Sequence, residues 1–229
     1  MGIRILELLE GAKKAQGLTV IIDVFRAFLL EAYLLDQNAE RLIAVDAVEK
    51  ARGMKQADPG IVLAGEHHGK KLDGFDYGNS PSAVRGIDFS GKTIVHTTSA
   101  GTQGLAAASQ AGELLVSSLV IAKATAAYIQ RQNPELVSLV CMGWERHANT
   151  DEDLLCAEYI RSILQKEPLS DIHERAYQLR FQEGKKFFDE RLKEVFPEAD
   201  FWLCTDVDRF DFAISAQPVG DGFLMRKAV

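Results

Sequence analysis

The chain has little cysteine. Cys141, Cys156 and Cys204 are its three thiols; they form no C-x-x-C pair, and an odd number cannot all pair. A fully paired disulfide framework is therefore excluded, and a reduced, cytoplasmic compartment is the expectation. No apolar run approaches the roughly 20 residues that a membrane span requires, and Met1-Gly2-Ile3-Arg4 leads into no apolar h-region, so neither a transmembrane segment nor a secretory leader is expected. Positive charge is also lacking: the formal net charge of -7 argues against general nucleic-acid binding, which depends on a basic surface to displace counterions from phosphates. A small anionic ligand is not excluded, because a local cation or a ring of backbone amides can make one pocket positive. There is no G-x-S-x-G elbow, no H-E-x-x-H helix, no internal repeat and no Pro/Gly/Ser linker to divide the chain.

What is present is an ordinary globular composition, 47% hydrophobic and 26% charged over 229 residues, enough for one core spanning residues 1–229. Apolar, β-branched runs recur at Leu18 to Val24, Arg41 to Val45, Ile61 to Ala64, Thr93 to His96, Leu114 to Ser117 and Leu136 to Cys141. Such runs read as strands buried on both faces. Between them, Arg26 to Leu35, Ala47 to Gln56, Gly104 to Ala111 and Ile121 to Gln132 read as helices, and Asp151 to Leu164 as another. The alternation predicts an α/β fold, three-layer α/β/α, with a largely parallel or mixed sheet and its sites at the carboxyl ends of the strands. Residues 166–198 are charged, with Phe181, Phe187, Phe188 and Leu192 at helical spacing, and predict a helical C-terminal excursion. Phe201 to Cys204 and Phe212 to Ser215 are expected to be short strands that return to the sheet.

Three motifs match a spelling and fail on context. Gly86-Ile87-Asp88-Phe89-Ser90-Gly91-Lys92-Thr93 spells a Walker A loop, but no strand precedes it and a strand-like run follows it, so a turn into a strand is expected. Asp206-Val207-Asp208 spells the D-x-D of haloacid dehalogenase-like phosphatases, yet it stands at the wrong end of the chain and continues into Arg209-Phe210. His67-His68 is an adjacent pair in a polar stretch, a pattern more often solvated than ligating.

Four segments carry chemistry. Ile21-Ile22-Asp23-Val24-Phe25-Arg26-Ala27 puts a carboxylate at a strand end and an arginine three residues on; it reads either as a helix cap with a salt bridge or as a reaction carboxylate beside a cation for an anion. The long polar block from Gly65-Glu66 to Gly74-Phe75-Asp76-Tyr77-Gly78-Asn79-Ser80-Pro81 follows a buried strand, and long loops in that position commonly build sites. Thr97-Thr98-Ser99-Ala100-Gly101-Thr102 stands before a helical stretch, as an N-cap or as a phosphate cradle, and Glu152-Asp153-Leu154-Leu155-Cys156-Ala157-Glu158 opens another. In their order and spelling these segments resemble the I-D-V-x-R-A, G-E-R, K-x-x-G-F-D-x-G-N-S-P, T-T-N-G-T and E-D-x-x-C-A-G elements of the 2-phosphosulfolactate phosphatase, or ComB, family, over roughly residues 19 to 160. His67, Ser99-Ala100 and Glu158 depart from that pattern.

The resemblance implies a Mg²⁺-dependent phosphoric monoester hydrolase acting on a small anionic phosphorylated substrate, 2-phosphosulfolactate, to give sulfolactate and phosphate in coenzyme M synthesis. It implies Asp23, Arg26 and Asp76 as catalytic residues. Arg26, Lys70, Asn79, Ser80, Thr97, Thr98, Ser99, Gly101 and Thr102 would bind substrate, and Asp23, Glu66, Asp76, Glu152 and Asp153 are the candidate metal carboxylates. A homodimer is compatible with this reading; nucleic acid and membrane partners are not expected. A phosphatase for another phosphorylated carboxylic or sulfonic acid, or a non-catalytic anion-binding protein on the same scaffold, are the alternatives. Cys156 is expected to pack rather than attack, since no histidine pairs with it in the sequence.

Overall fold

The computed structural model describes residues 1–108, 110–144, 150–167 and 169–228. In chain order its elements are β1 (Gly2–Glu7), α1 (Leu8–Lys14), β2 (Gly17–Ile22), α2 (Ala27–Asp36), β3 (Arg41–Ala44), α3 (Val48–Ala57), β4 (Val62–His67) and β5 (Lys70–Lys71). There follow α4 (Pro81–Val84), β6 (Thr93–Thr97), α5 (Gly101–Ala107), β7 (Ala111–Ser117), α6 (Ala122–Gln132), β8 (Leu136–Cys141) and α7 (Asp151–Gln165). The last are α8 (Ile172–Gln178), α9 (Glu198–Cys204), β9 (Ala213–Val219) and β10 (Gly222–Ala228), with short 3₁₀ turns at Leu119–Ile121, Leu179–Phe181 and Glu183–Phe188. The fold is α/β, a mixed ten-stranded sheet within a three-layer α/β/α arrangement, in the strand order β1-β8-β2-β7-β9-β10-β3-β6-β4-β5.

Two parallel sets make up most of the sheet: β1, β8, β2 and β7 on one side, and β3, β6 and β4 on the other. The antiparallel hairpin β9–β10 joins them, pairing with β7 through β9 and with β3 through β10. The two sets consequently run in opposite directions along the ladder. In a flat sheet the carboxyl ends of β2 and β4 would lie on opposite edges, yet Asp23 and Glu66 line one cavity, which requires a strongly twisted and curled sheet. Helix α2 bridges the two sets. Every residue from Ala27 to Leu35 is buried, and the helix packs on β3 and β7, one strand from each set. Its apolar character all round is what such a position demands.

Several boundaries differ from the sequence reading. Phe201 to Cys204 is not a strand but the last part of α9. A four-residue apolar run does not distinguish the two states, and here Trp202 is exposed while Phe201, Leu203 and Cys204 are buried. The helix expected at Gly104 to Ala111 begins three residues earlier, at Gly101, and Ala111 already belongs to β7. The polar block after β4 is not a simple loop either: Glu66 and His67 still belong to β4, and Lys71 and Lys70 pair back against them. The Walker-like spelling is a turn into β6, with Gly86 and Gly91 at positive φ. β1, α1 and β10 were not foreseen.

Candidate active site

The cavity lies where β2, β4 and β6 end. It is small and partly open to solvent, with a volume of about 30 Å³, and is lined by Asp23, Arg26, Glu66, Asn79, Ser99 and Gly143, with Phe25, Trp144 and Phe196 as an aromatic wall. The carboxylates are fixed by backbone amides. Asp23 Oδ1 accepts from Ala27 N at 3.1 Å, which caps the first turn of α2, and its Oδ2 takes no hydrogen bond from the described residues. Glu66 Oε1 accepts from Ser99 N at 2.8 Å and Oε2 from Gly69 N at 2.6 Å, tying the end of β4 to the turn after β6. Asp153, on the first turn of α7, accepts from Val24 N and Gly143 N, both at 2.8 Å, and so joins the ends of β2 and β8. The start of α5 lies against Asp23. A Cβ at Gly101 would come within 3.0 Å of Asp23 Oδ2, Ala27 Cβ and Phe28 Cζ, so only glycine leaves this approach open.

The carboxylates are electrostatically uneasy. Burial, followed by the charge of Asp153, pushes Asp23 up to about 7. Burial and the charge of Glu152 push Asp153 up to about 8, and burial raises Glu152 to about 7 against the pull of Lys186. Several acids share a desolvated volume in which all of them cannot ionise cheaply, a pattern common at functional sites. Two buried oxygens here, Ser99 Oγ and Glu152 Oε2, have no partner among the described residues.

The cationic side is built largely by the C-terminal part of the chain. Arg26 is buried and donates from one guanidinium nitrogen to Asp200 Oδ2 at 2.6 Å and from the other to the Gly69 carbonyl at 3.2 Å. Its plane lies 4.8 Å from the Phe196 ring centre. Asp200 is fully buried, and its second oxygen accepts from Ser80 Oγ, Ser82 N and Ser82 Oγ. A guanidinium carries five N–H donors, so the Asp200 and Gly69 bonds orient Arg26 without exhausting it. Lys186 lies over Trp144 at 4.2 Å, and burial pulls its ammonium below the usual range while Glu152 holds it up.

Comparison with known proteins is decisive for the family. A family model described as 2-phosphosulpholactate phosphatase matches residues 3–217. The chain belongs to that family. Among curated relatives, it is 38% identical over 144 residues to a protein of Caldicellulosiruptor saccharolyticus, covering 61% of this chain and 59% of that one. It is 28% identical over 207 residues to one of Bacillus subtilis, covering 89% of each, and 32% identical over 208 residues to one of Clostridium perfringens, covering 85% of this chain and 83% of the other. All three carry the name "Probable 2-phosphosulfolactate phosphatase".

Within this phosphatase-family chain, the structure brings Asp23, Arg26, Glu66, Asn79 and Ser99 to one cavity. Gly101 lies behind Asp23, and Asp153 and Glu152 lie buried beside the cavity. Asp76, also expected at the site, is not among the residues that line this cavity. Its side chain is exposed, and Oδ2 accepts from Leu63 N at 2.8 Å and reaches Lys55 Nζ at 3.4 Å, which makes it a clasp on the edge of β4 outside the cavity lining. Thr98 and Thr102 bond to each other across the α5 turn, and Thr97 is buried at the end of β6; none of the three lines the cavity. Lys70 and Ser80 line a neighbouring groove that shares Arg26, Gly69 and Asn79 with it. Of the departures from the family pattern, His67 is exposed and rests on the His68 ring, Glu158 pairs with Arg175 at 2.7 Å away from the cavity, and only Ser99 and Ala100 belong to its wall. The three thiols are free and buried, and burial pushes them up, which leaves Cys156 a packing residue.

Sequence reasoning missed Asp200, Lys186, Trp144 and Phe196. No local motif marks them. Asp200 sits 174 positions from Arg26, and the only signal was an acid beside an apolar run whose helical state was misread.

Proposed function

We propose that this chain is a Mg²⁺-dependent phosphatase that hydrolyses 2-phosphosulfolactate to sulfolactate and phosphate. The observation that carries the proposal is one cavity in which Asp23 and Glu66 face Arg26 and Asn79 at the carboxyl ends of three strands. The relatives' shared name supports the substrate, and the donor set supports the ion. Among the described residues no group of three or more His, Cys, Asp or Glu side chains encloses a metal. Mg²⁺ does not need such a cage, since it commonly takes one or two carboxylates and fills its octahedron with water and substrate oxygens. Asp23, with Oδ2 uncommitted, and Glu66, which lines the cavity although both its oxygens also accept from backbone amides, fit that mode, whereas Asp153 does not line the cavity and Asp76 is elsewhere. When bound, the ion supplies neutralisation of phosphate charge and a more acidic water.

The side chains supply the rest. Arg26, pre-oriented by Asp200, offers its remaining N–H donors to a phosphate oxygen, the pairing for which a planar guanidinium is best suited. The aromatic wall of Phe25, Trp144 and Phe196 keeps the site dry, which strengthens each of these attractions. The groove of Lys70, Lys71 and Lys193 beyond Arg26 offers the second, sulfonate or carboxylate, end of the substrate a cationic bed. The test is phosphate release from 2-phosphosulfolactate and from a panel of phosphorylated carboxylic acids, with Mg²⁺ and with EDTA. The proposal expects Mg²⁺-dependent turnover that is greatest with 2-phosphosulfolactate. Turnover undiminished by EDTA, or a preference for a singly anionic phosphomonoester, would contradict it.

A further inference from the structure

Lys186 is a cation packed on the cavity's aromatic wall. Its Nζ lies 4.2 Å from the centre of the Trp144 ring, 5.4 Å from Phe196, 5.6 Å from Phe25 and 5.8 Å from Phe187. The first three of these rings line the cavity, although Lys186 itself does not. Among the described residues it makes no hydrogen bond and no ion pair. Glu152 attracts it from beyond contact, and the buried Oε2 of Glu152 has no partner among the described residues either.

A lysine that serves only as packing lays its stem on apolar surface and carries its ammonium out to water. Lys186 does the reverse: burial is the largest influence on its charged end. An ammonium has three N–H donors, and attraction to ring faces offsets only part of the cost of desolvating it. Arg26 shares two of the same rings, with its guanidinium 4.8 Å from the centre of Phe196 and 5.8 Å from that of Phe187. Its charge is answered by Asp200 at 2.6 Å, whereas no carboxylate among the described residues touches Lys186. Two cations are thus gathered on one pair of rings, where Arg26 repels Lys186. An anion in contact with both turns that repulsion into attraction.

We propose that Lys186 is a substrate-binding residue, whose ammonium is held at the aromatic wall to donate to the phosphate of the substrate beside Arg26. The proposal rests on the phosphatase reading above for the identity of the anion, but not for the convergence of the two cations. The flexible four-carbon stem lets the head turn from the face of Trp144 to the anion. Contact with an anion also favours the charged form of the amine. Lys186 is carried by the turn Glu183–Phe188 and Asp200 by α9, so the C-terminal segment both aims one phosphate-binding cation and supplies the other.

Calorimetry with inorganic phosphate, in Mg²⁺, is the test. Binding is expected to weaken roughly 10-fold or more in Lys186→Met. It should stay within about two-fold of wild type in Lys185→Met, which removes the same charge from the exposed neighbouring position. Phosphate should also raise the melting temperature of the wild type more than that of Lys186→Met. A Lys186→Met protein that melts lower yet binds phosphate as the wild type does would make Lys186 a packing residue and overturn the proposal. Equal losses in Lys185→Met, or no phosphate binding by the wild type, would overturn it as well. Should Lys186→Met fail to fold, a crystal structure of the wild type with phosphate decides: Nζ is expected within about 3 Å of a phosphate oxygen. An Nζ still on the Trp144 face, out of hydrogen-bond reach of the anion, would overturn the proposal. Weakened phosphate binding in Lys186→Met without 2-phosphosulfolactate turnover by the wild type would refute the function reading and leave the role of Lys186 standing. Turnover by the wild type with unchanged phosphate affinity in Lys186→Met would do the opposite.

Discussion

Asp200→Asn isolates the most consequential contact between the C-terminal segment and the cavity. Asp200 Oδ2 accepts from Arg26 at 2.6 Å, and Oδ1 accepts from Ser80 Oγ, Ser82 N and Ser82 Oγ at 2.9, 3.0 and 2.6 Å. An amide has one carbonyl for these two sets of donors, so its NH₂ group must oppose either the guanidinium or the serines. The larger penalty is electrostatic: Arg26 stays buried without its counter-charge, and breaking one side of a buried pair costs about 3–5 kcal/mol. For a chain of this size that corresponds to a fall in melting temperature of roughly 6 to 20 °C. Arg26 also loses the contact that aims it, and kcat/KM should fall on the order of 10- to 100-fold through weaker anion binding. Differential scanning calorimetry and steady-state phosphate release read the two effects separately. The double variant Arg26→Met, Asp200→Asn removes both charges and should regain most of the stability while remaining inactive. An Asp200→Asn protein within about 1 kcal/mol of wild type would refute the claim that a buried charge is left uncompensated.

Further expectations follow from the same geometry. Asp23, Glu152 and Asp153 are all raised, from ordinary values of 3.8, 4.5 and 3.8 to about 7, 7 and 8, so between about pH 4 and 8 the native state holds more protons than the unfolded chain. Metal-free protein should therefore melt lower at pH 8 than at pH 5, and lowered carboxyls such as Asp189, at about 2, act below this window. A melting temperature that rises across the same interval would count against the shared desolvation of the three acids. Asp76→Asn should leave kcat/KM within about two-fold while loosening the β4 edge by about 1 kcal/mol, because its bonds are to Leu63 N and Lys55; a large kinetic defect in a stable variant would return Asp76 to the site. Gly101→Ala should cost about 1–3 kcal/mol and most of the activity, since the new methyl meets Asp23, Ala27 and Phe28; wild-type behaviour would show that this packing yields.

Much of the sheet was legible in the chain because parallel strands buried on both faces announce themselves as β-branched runs, as Leu18 to Ile22 and Leu136 to Cys141 do. β1 was not, because its exposure alternates irregularly at the sheet edge, nor was β10, whose outward Arg226 and Lys227 break the apolar pattern. That hairpin reverses one half of the sheet against the other, and no local property of the sequence encodes it. The cavity was half legible. Asp23, Arg26, Glu66 and Asn79 lie in segments with recognisable spelling, whereas Asp76 shares that spelling and lies outside the cavity lining. Asp200 and Phe196, which hold Arg26, come from α9 and the turn before it, and Trp144 under Lys186 follows β8, residues whose meaning depends on contacts made across most of the chain.

The central claim is that Asp23 and Arg26 work on one phosphate in one cavity. The most direct measurement is phosphate release from 2-phosphosulfolactate, in Mg²⁺, by the wild type and by Asp23→Asn and Arg26→Gln, each checked for a native melting transition. Turnover by the wild type and a loss on the order of 100-fold or more in each variant are the expected results. No turnover by the wild type, or folded variants that release phosphate undiminished, would contradict it.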